Sequence, residues 1–92
     1  MKYLPYSRLS GVPNIVVDGA AQADTVLTLS HWPGSSSPPA FRADTSTEIV
    51  LNYLSAPAAS KQYAPGVRVV SNNHFDEDGL CAVWAMLYPK LA

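Results

Sequence analysis

Asn14-Ile15-Val16-Val17 is a β-branched run with Pro13 before it and Asp18-Gly19 after it, which predicts a short strand ended by a turn. Thr25 to Ser30 alternates polar and apolar residues, blurred only at Val26-Leu27, and predicts a second strand with one buried face. From His31 the chain enters Trp-Pro-Gly-Ser-Ser-Ser-Pro-Pro, whose prolines and glycine exclude regular structure. Thr45-Ser46-Thr47-Glu48 matches a capping box, in which the Thr45 hydroxyl accepts from a backbone N–H three residues on and Glu48 reaches back. The helix it opens puts Ile49, Val50, Tyr53 and Leu54 on one face, and Pro57 with the Ala-Pro-Ala-Ala-Ser segment stops it near Ser55. Val67 to Ser71, after a Pro65-Gly66 turn signal, predicts a third strand.

Two strands joined through a helix imply a right-handed crossover in a parallel sheet. The fold class expected is therefore α/β, with a short, mainly parallel sheet. The last element, Leu80 to Tyr88, has no polar groups on its side chains beyond the Tyr88 hydroxyl, the Trp84 indole N–H and the Cys81 thiol. A helix apolar on every side is expected to be buried on every side, with Trp84, Met86 and Cys81 as packing residues. Two or three strands and one other helix are too little to cover it, so a following C-terminal domain or a homo-oligomer is expected to do so. Residues 1–92 are then a single, partial α/β domain, the N-terminal part of a larger protein or a short relative of one.

Composition narrows the function classes. At 92 residues there is room for one modest core, and 14% charged residues is sparse cover for so small a body, which again points to an apolar surface facing a partner. Lys2, Arg8, Arg42, Lys61, Arg68 and Lys90 are scattered and the net charge is −1, so no footprint for nucleic acid is visible. Pro5, Ser7, Arg8 and Ser10 interrupt any signal-peptide core, and the longest apolar run is about half of the ~20 residues a membrane span needs. A single cysteine, Cys81, cannot form an internal disulfide, and the expected compartment is the cytoplasm.

Candidate chemistry lies in Ser71-Asn72-Asn73-His74-Phe75-Asp76-Glu77-Asp78-Gly79, at the carboxyl end of a predicted strand, where open α/β sheets bind ligands. If the turn is extended, His74, Asp76 and Asp78 point to one side and Phe75 and Glu77 to the other. Carboxylates held close repel unless a cation lies between them, and a mixed imidazole and oxygen set suits Mn²⁺, Fe²⁺ or Zn²⁺ better than Ca²⁺. A calcium loop fails: with Gly79 at its invariant glycine, His74 takes the first ligand position and Ala85 stands where a bidentate glutamate belongs. The competing reading is that Asp76, Glu77 and Asp78 only favour a helix start, each by about 0.3–1 kcal/mol.

His74-Phe75-Asp76-Glu77-Asp78-Gly79, with Ala82 a turn later, resembles the first metal-binding motif of the DHH phosphoesterase superfamily. The longer run from Val70 to Ala85, with Thr25 to Gly34, is also similar to an uncharacterised bacterial family related to it. The resemblance implies a DHH-like domain in which His74, Asp76 and Asp78 ligate Mn²⁺ or Mg²⁺ for hydrolysis of a phosphorylated small molecule or nucleotide. The Asp-His-His that names the superfamily does not occur here, so a complete two-metal site would draw ligands from further sequence. His31, Trp32, Asn73 and Glu77 are candidates for contacts to the ligands or for pocket walls. His31 follows a strand end and reads equally as an exposed loop histidine. Asp18 reads as a turn residue beside Gly19, and Asp44 as a charge at a helix start. The expectations left standing are a metal-dependent phosphoesterase fragment, a non-catalytic α/β interaction or oligomerisation module, and a single structural ion held without chemistry.

Overall fold

The computed structural model describes residues 1–56, 58–74 and 76–91. Pro57 and Phe75, used above to end a helix and to face away from the acidic turn, lie outside the described residues. Four strands, β1 (Lys2–Tyr3), β2 (Asn14–Val17), β3 (Thr25–Leu29) and β4 (Val69–Ser71), form one sheet in the order β1-β4-β2-β3. Every pairing is parallel. The helices are α1 (Ser46–Ser55), α2 (Ala59–Tyr63) and α3 (Glu77–Leu87), with 3₁₀ turns at Tyr6–Arg8 and Pro39–Phe41. The α/β class and the parallel sheet are as the sequence predicts, and no helix is long and apolar enough to cross a membrane among the described residues.

Alternation along the strands assigns the two faces. Ile15, Val17, Leu27, Leu29 and Val70 point to the side covered by α1, α2 and α3, where Phe41, Ile49, Val50 and Tyr53 complete the main core. Val16 and Val69 point to the other side, covered by Leu4, Tyr6, Leu9 and Val12. That cover exists because the chain must pass over β4 to get from β1 to β2. Residues 4–13 make the passage, pinned by a bond from the Gln22 amide to the Tyr6 carbonyl and another from the Tyr6 hydroxyl to the Ala20 carbonyl.

Helix α1 begins with the N-cap half of its capping box, Thr45 Oγ1 accepting from the Glu48 N–H at 3.2 Å, while Glu48 Oε1 takes the Thr45 hydroxyl at 3.3 Å, and it ends at Ser55. Sequence reading misses β1 and α2. A strand of two residues has no period to detect, and α2 sits in the segment taken as a stop signal because Ala58 turns into it through the left-handed region (φ 60°).

Helix α3 departs from expectation. Its buried positions are Gly79, Ala82, Ala85 and Met86, while Leu80, Cys81, Trp84 and Tyr88 face outward. Small residues let α3 lie close to α1 and the sheet, and the bulky ones project away. Cys81 and Trp84 are therefore exposed rather than core, and only Met86 packs as expected.

Candidate metal centre

Parallel strands put their carboxyl ends at one edge of the sheet, and three of them deliver side chains to one place. β2 runs into Asp18, β3 into Ser30 and His31, and β4 into Asn72, Asn73 and His74. The N-termini of α1 and α3 open onto the same edge and bring Ser46, Asp76 and Asp78.

Asp18 is the centre of the arrangement. Its backbone turns through φ 49°, a left-handed conformation aspartate tolerates, and its N–H donates to the Leu29 carbonyl at 3.0 Å. The side chain has no exposed surface. Its Oδ1 accepts from the Ser46 hydroxyl at 2.7 Å and from the Trp32 indole N–H at 3.1 Å. Oδ2 accepts no hydrogen bond among the described residues, although it is buried and lies 3.0 Å from His74 Nε2. Burial raises the Asp18 pKa above its ordinary value; the Ser46 hydroxyl opposes this, while the charges of Asp78 and Asp76 add to it.

His74 Nε2 lies 3.1 Å from Asp76 Oδ2. Its Nδ1 is 3.4 Å from Asn73 Oδ1, so a proton on Nδ1 would be held by the amide oxygen and the Nε2 lone pair would face the carboxylates. Asp76 caps α3, its Oδ1 accepting from the Gly79 N–H at 2.7 Å. That bond is the main reason its pKa falls below the usual carboxylate value. Asp18, His74 and Asp76 thus each present an oxygen or nitrogen within 4.8 Å of the others.

A second triplet, Asp18, His31 and Asp78, meets the same distance limit from the other side of Asp18. Here the Asp78 carboxylate and His31 Nδ1 are already engaged. Asp78 Oδ2 accepts from the Ser46 N–H and Oδ1 from the Thr47 N–H, each at 2.8 Å, with the Thr47 hydroxyl a further 2.6 Å donor to Oδ1. Burial works against the Asp78 charge, but the Thr47 hydroxyl and the two N–H groups outweigh it and lower the pKa. Ser46 Oγ lies 2.8 Å from His31 Nδ1, and since its own proton goes to Asp18, it accepts one from His31. The buried oxygens of this half all have donors, whereas Asp18, His74 and Asp76 leave a buried acceptor bare among the described residues. The residues present fit one divalent cation there, with three ligand atoms of the imidazole and carboxylate kind.

The sequence expectation that His74, Asp76 and Asp78 converge as one triplet needed an extended turn through Asp78. Helix α3 instead starts at Glu77, which rotates Asp78 toward α1 and His31. Glu77 is exposed and has no hydrogen bond to the cluster among the described residues. Trp32 lies against His74, its ring centroid 4.8 Å from that of the imidazole. Asp18, taken as a turn residue, is the residue sequence reasoning missed; the available signal was an Asp-Gly at the carboxyl end of a strand flanked by two others. Ser46, hidden inside a capping box, gave no signal.

Two glycines make the approach possible. A Cβ at Gly79 would strike the Asn72 amide and come within 3.2 Å of both Asp18 Oδ2 and Asp76 Oδ1. One at Gly19 would run into the Asn73 side chain that faces His74.

No curated protein and no solved structure matches this chain. Over residues 1–92 it matches a family of unknown function, DUF6687. The chain therefore belongs, along its whole length, to the DUF6687 family.

Proposed function

We propose that the edge formed by Asp18, His74 and Asp76 is a divalent-metal centre, for Mn²⁺ or Mg²⁺, serving hydrolysis of a phosphoester or phosphoanhydride in a small molecule or nucleotide. The observation that carries the reading is the buried, unbonded Asp18 Oδ2 aimed at His74 Nε2 beside a second carboxylate. An uncompensated acceptor of this kind costs about 1–3 kcal/mol, and a cation removes the cost. When bound, such an ion supplies Lewis acidity and a water of lowered pKa. The chain's own residues supply the rest. Ser46 and Trp32 fix the Asp18 carboxylate through Oδ1, and Asn73 orients the His74 ring. His31, holding a proton on Nδ1 toward Ser46, keeps Nε2 available to take or return a proton at the substrate side. The resemblance of residues 74–79 to the first DHH phosphoesterase motif supports the same chemistry, and the lone thiol fits a cytoplasmic setting.

The test is thermal unfolding of the chain with and without Mn²⁺, beside Asp18→Asn and His74→Ala, followed by assay on bis(4-nitrophenyl) phosphate. A cation that binds only the folded state stabilises it by ~2.7 kcal/mol at a hundred times its dissociation constant. A rise in the parent that both variants lose, with metal-dependent release of nitrophenol, is the expected result. A parent indifferent to Mn²⁺ overturns the reading.

One observation favours a second reading, a non-catalytic interaction or oligomerisation module. Leu80, Trp84, Tyr88 and Leu91 form an exposed stripe along α3 and beyond it. Self-association abolished by Trp84→Gln, with no response to Mn²⁺, is the outcome it requires.

A further inference from the structure

Beside the metal centre the loop from Ser30 to Pro38 and the segment from Arg42 to Asp44 enclose a cleft of about 470 Å³, within the ordinary range for small-molecule sites. Its lining includes His31 and Trp32, the same two residues that contact Asp18. Pro38 and the fully buried Ile49 give it apolar walls.

The loop serines do not supply its polar recognition, because they are spent on one another. Ser35 and Ser37 both donate to the Ser30 carbonyl, at 2.9 and 3.1 Å, and the Ser30 N–H donates to Ser37 Oγ at 2.8 Å. These bonds make the Pro/Ser-rich loop a preformed wall. What remains is Arg42, the one arginine or lysine lining the cleft among the described residues. Its guanidinium forms no ion pair among the described residues, not even with Asp44, which lines the same cleft.

We propose that Arg42 binds an anionic group, phosphate or carboxylate, at the far end of a small phosphorylated ligand whose reacting phosphoryl group meets Asp18, His74 and Asp76. The inference rests on the metal reading above and adds to it the class of substrate: a compact molecule with two anionic ends and an apolar or planar body between them. A guanidinium donates two parallel bonds to either kind of anion, so the residue type alone does not select between them. Asp44 disfavours a ligand with further negative charge at that end.

The experiment is calorimetric binding to the full chain in Mn²⁺ of three probes: phenyl phosphate, 4-carboxyphenyl phosphate and 1,4-phenylene bisphosphate. The parent is compared with Arg42→Ala and Arg42→Lys, and thermal unfolding with and without Mn²⁺ is recorded for each. The expected result is binding of at least one doubly anionic probe about tenfold or more tighter than phenyl phosphate. Arg42→Ala should erase that preference while leaving the Mn²⁺ stabilisation unchanged, and Arg42→Lys should restore part of it. Which of the two doubly anionic probes gains tells carboxylate from phosphate. Equal binding of all three probes by a parent that responds to Mn²⁺ overturns this inference alone, as does a preference that survives Arg42→Ala. A parent that does not respond to Mn²⁺ overturns the metal reading and this inference with it.

Discussion

Asp18 Oδ1 and Ser46 Oγ lie 2.7 Å apart with both side chains fully buried, and that bond ties the end of strand β2 to the first turn of helix α1. It fixes which oxygen of Asp18 is spent and which is left. The Trp32 indole takes the same spent oxygen, so Oδ2 is the one turned toward His74 and Asp76. The shape of the centre follows from this one orientation.

Asp18→Asn should separate fold from metal. Asparagine keeps the volume, tolerates the left-handed backbone at φ 49°, and still accepts from Ser46 and Trp32. It also places an amide donor where the charged oxygen lacked one. The metal-free variant is expected to melt at or above the parent temperature and to lose all stabilisation by Mn²⁺, checked by circular dichroism melts in chelator and in metal. A variant that melts lower in chelator would contradict the account of Oδ2.

The pH dependence of the metal-free chain has two parts of opposite sign. Asp78 has a folded pKa below its unfolded value of 3.8, so its contribution to stability is present above that value and is lost as pH falls through the folded one. Asp18 has a folded pKa above 3.8, so the folded state binds the proton more tightly and stability falls as pH rises from 3.8 through the folded value. Urea titrations from pH 3 to 7 in chelator should show the rising slope shrink in Asp78→Asn, with Asp76, whose folded pKa is also lowered, supplying the remainder, and the falling slope vanish in Asp18→Asn. Saturating Mn²⁺ should remove the second slope from the parent by holding Asp18 charged.

Gly79→Ala tests whether space at the start of α3 outweighs helix propensity. In a plain helix alanine is worth about 1 kcal/mol more than glycine. Here the new methyl group meets the Asn72 amide, Asp18 Oδ2 and Asp76 Oδ1. The substitution is expected to lower the melting temperature despite the better propensity, and to weaken Mn²⁺ binding. A stabilised variant with intact binding would show that α3 has room to shift.

Asp78→Ala removes acceptors for the Ser46 N–H, the Thr47 N–H and the Thr47 hydroxyl together. A cost of about 1–3 kcal/mol is expected, because the N–H groups opening α1 are left without partners. Equilibrium unfolding in chelator measures it. If Asp78 were instead mainly a metal ligand, the loss would be seen only when metal is present.

Much of the local structure could be read from residues alone. Strand β2 is legible because Pro13 and Asp18-Gly19 bracket a β-branched run, and α1 because its capping box uses only neighbours in sequence. The His74–Gly79 turn stands out in the sequence as a candidate because the acids crowd within one short segment. Short-range order of this kind is written into propensity, period and capping, which act over a few residues. Which donors meet is a different question. Asp18, Ser46 and His74 are far apart along the chain, and only a parallel sheet with β2 between β3 and β4 brings them to one edge. Asp78 went to His31 and α1 because α3 begins one residue before it, a rotation decided by packing against α1. The outward turn of Trp84 has the same origin. A uniformly apolar helix carries no record of which face is buried, and the close approach of α3 to its neighbours selected the small side chains.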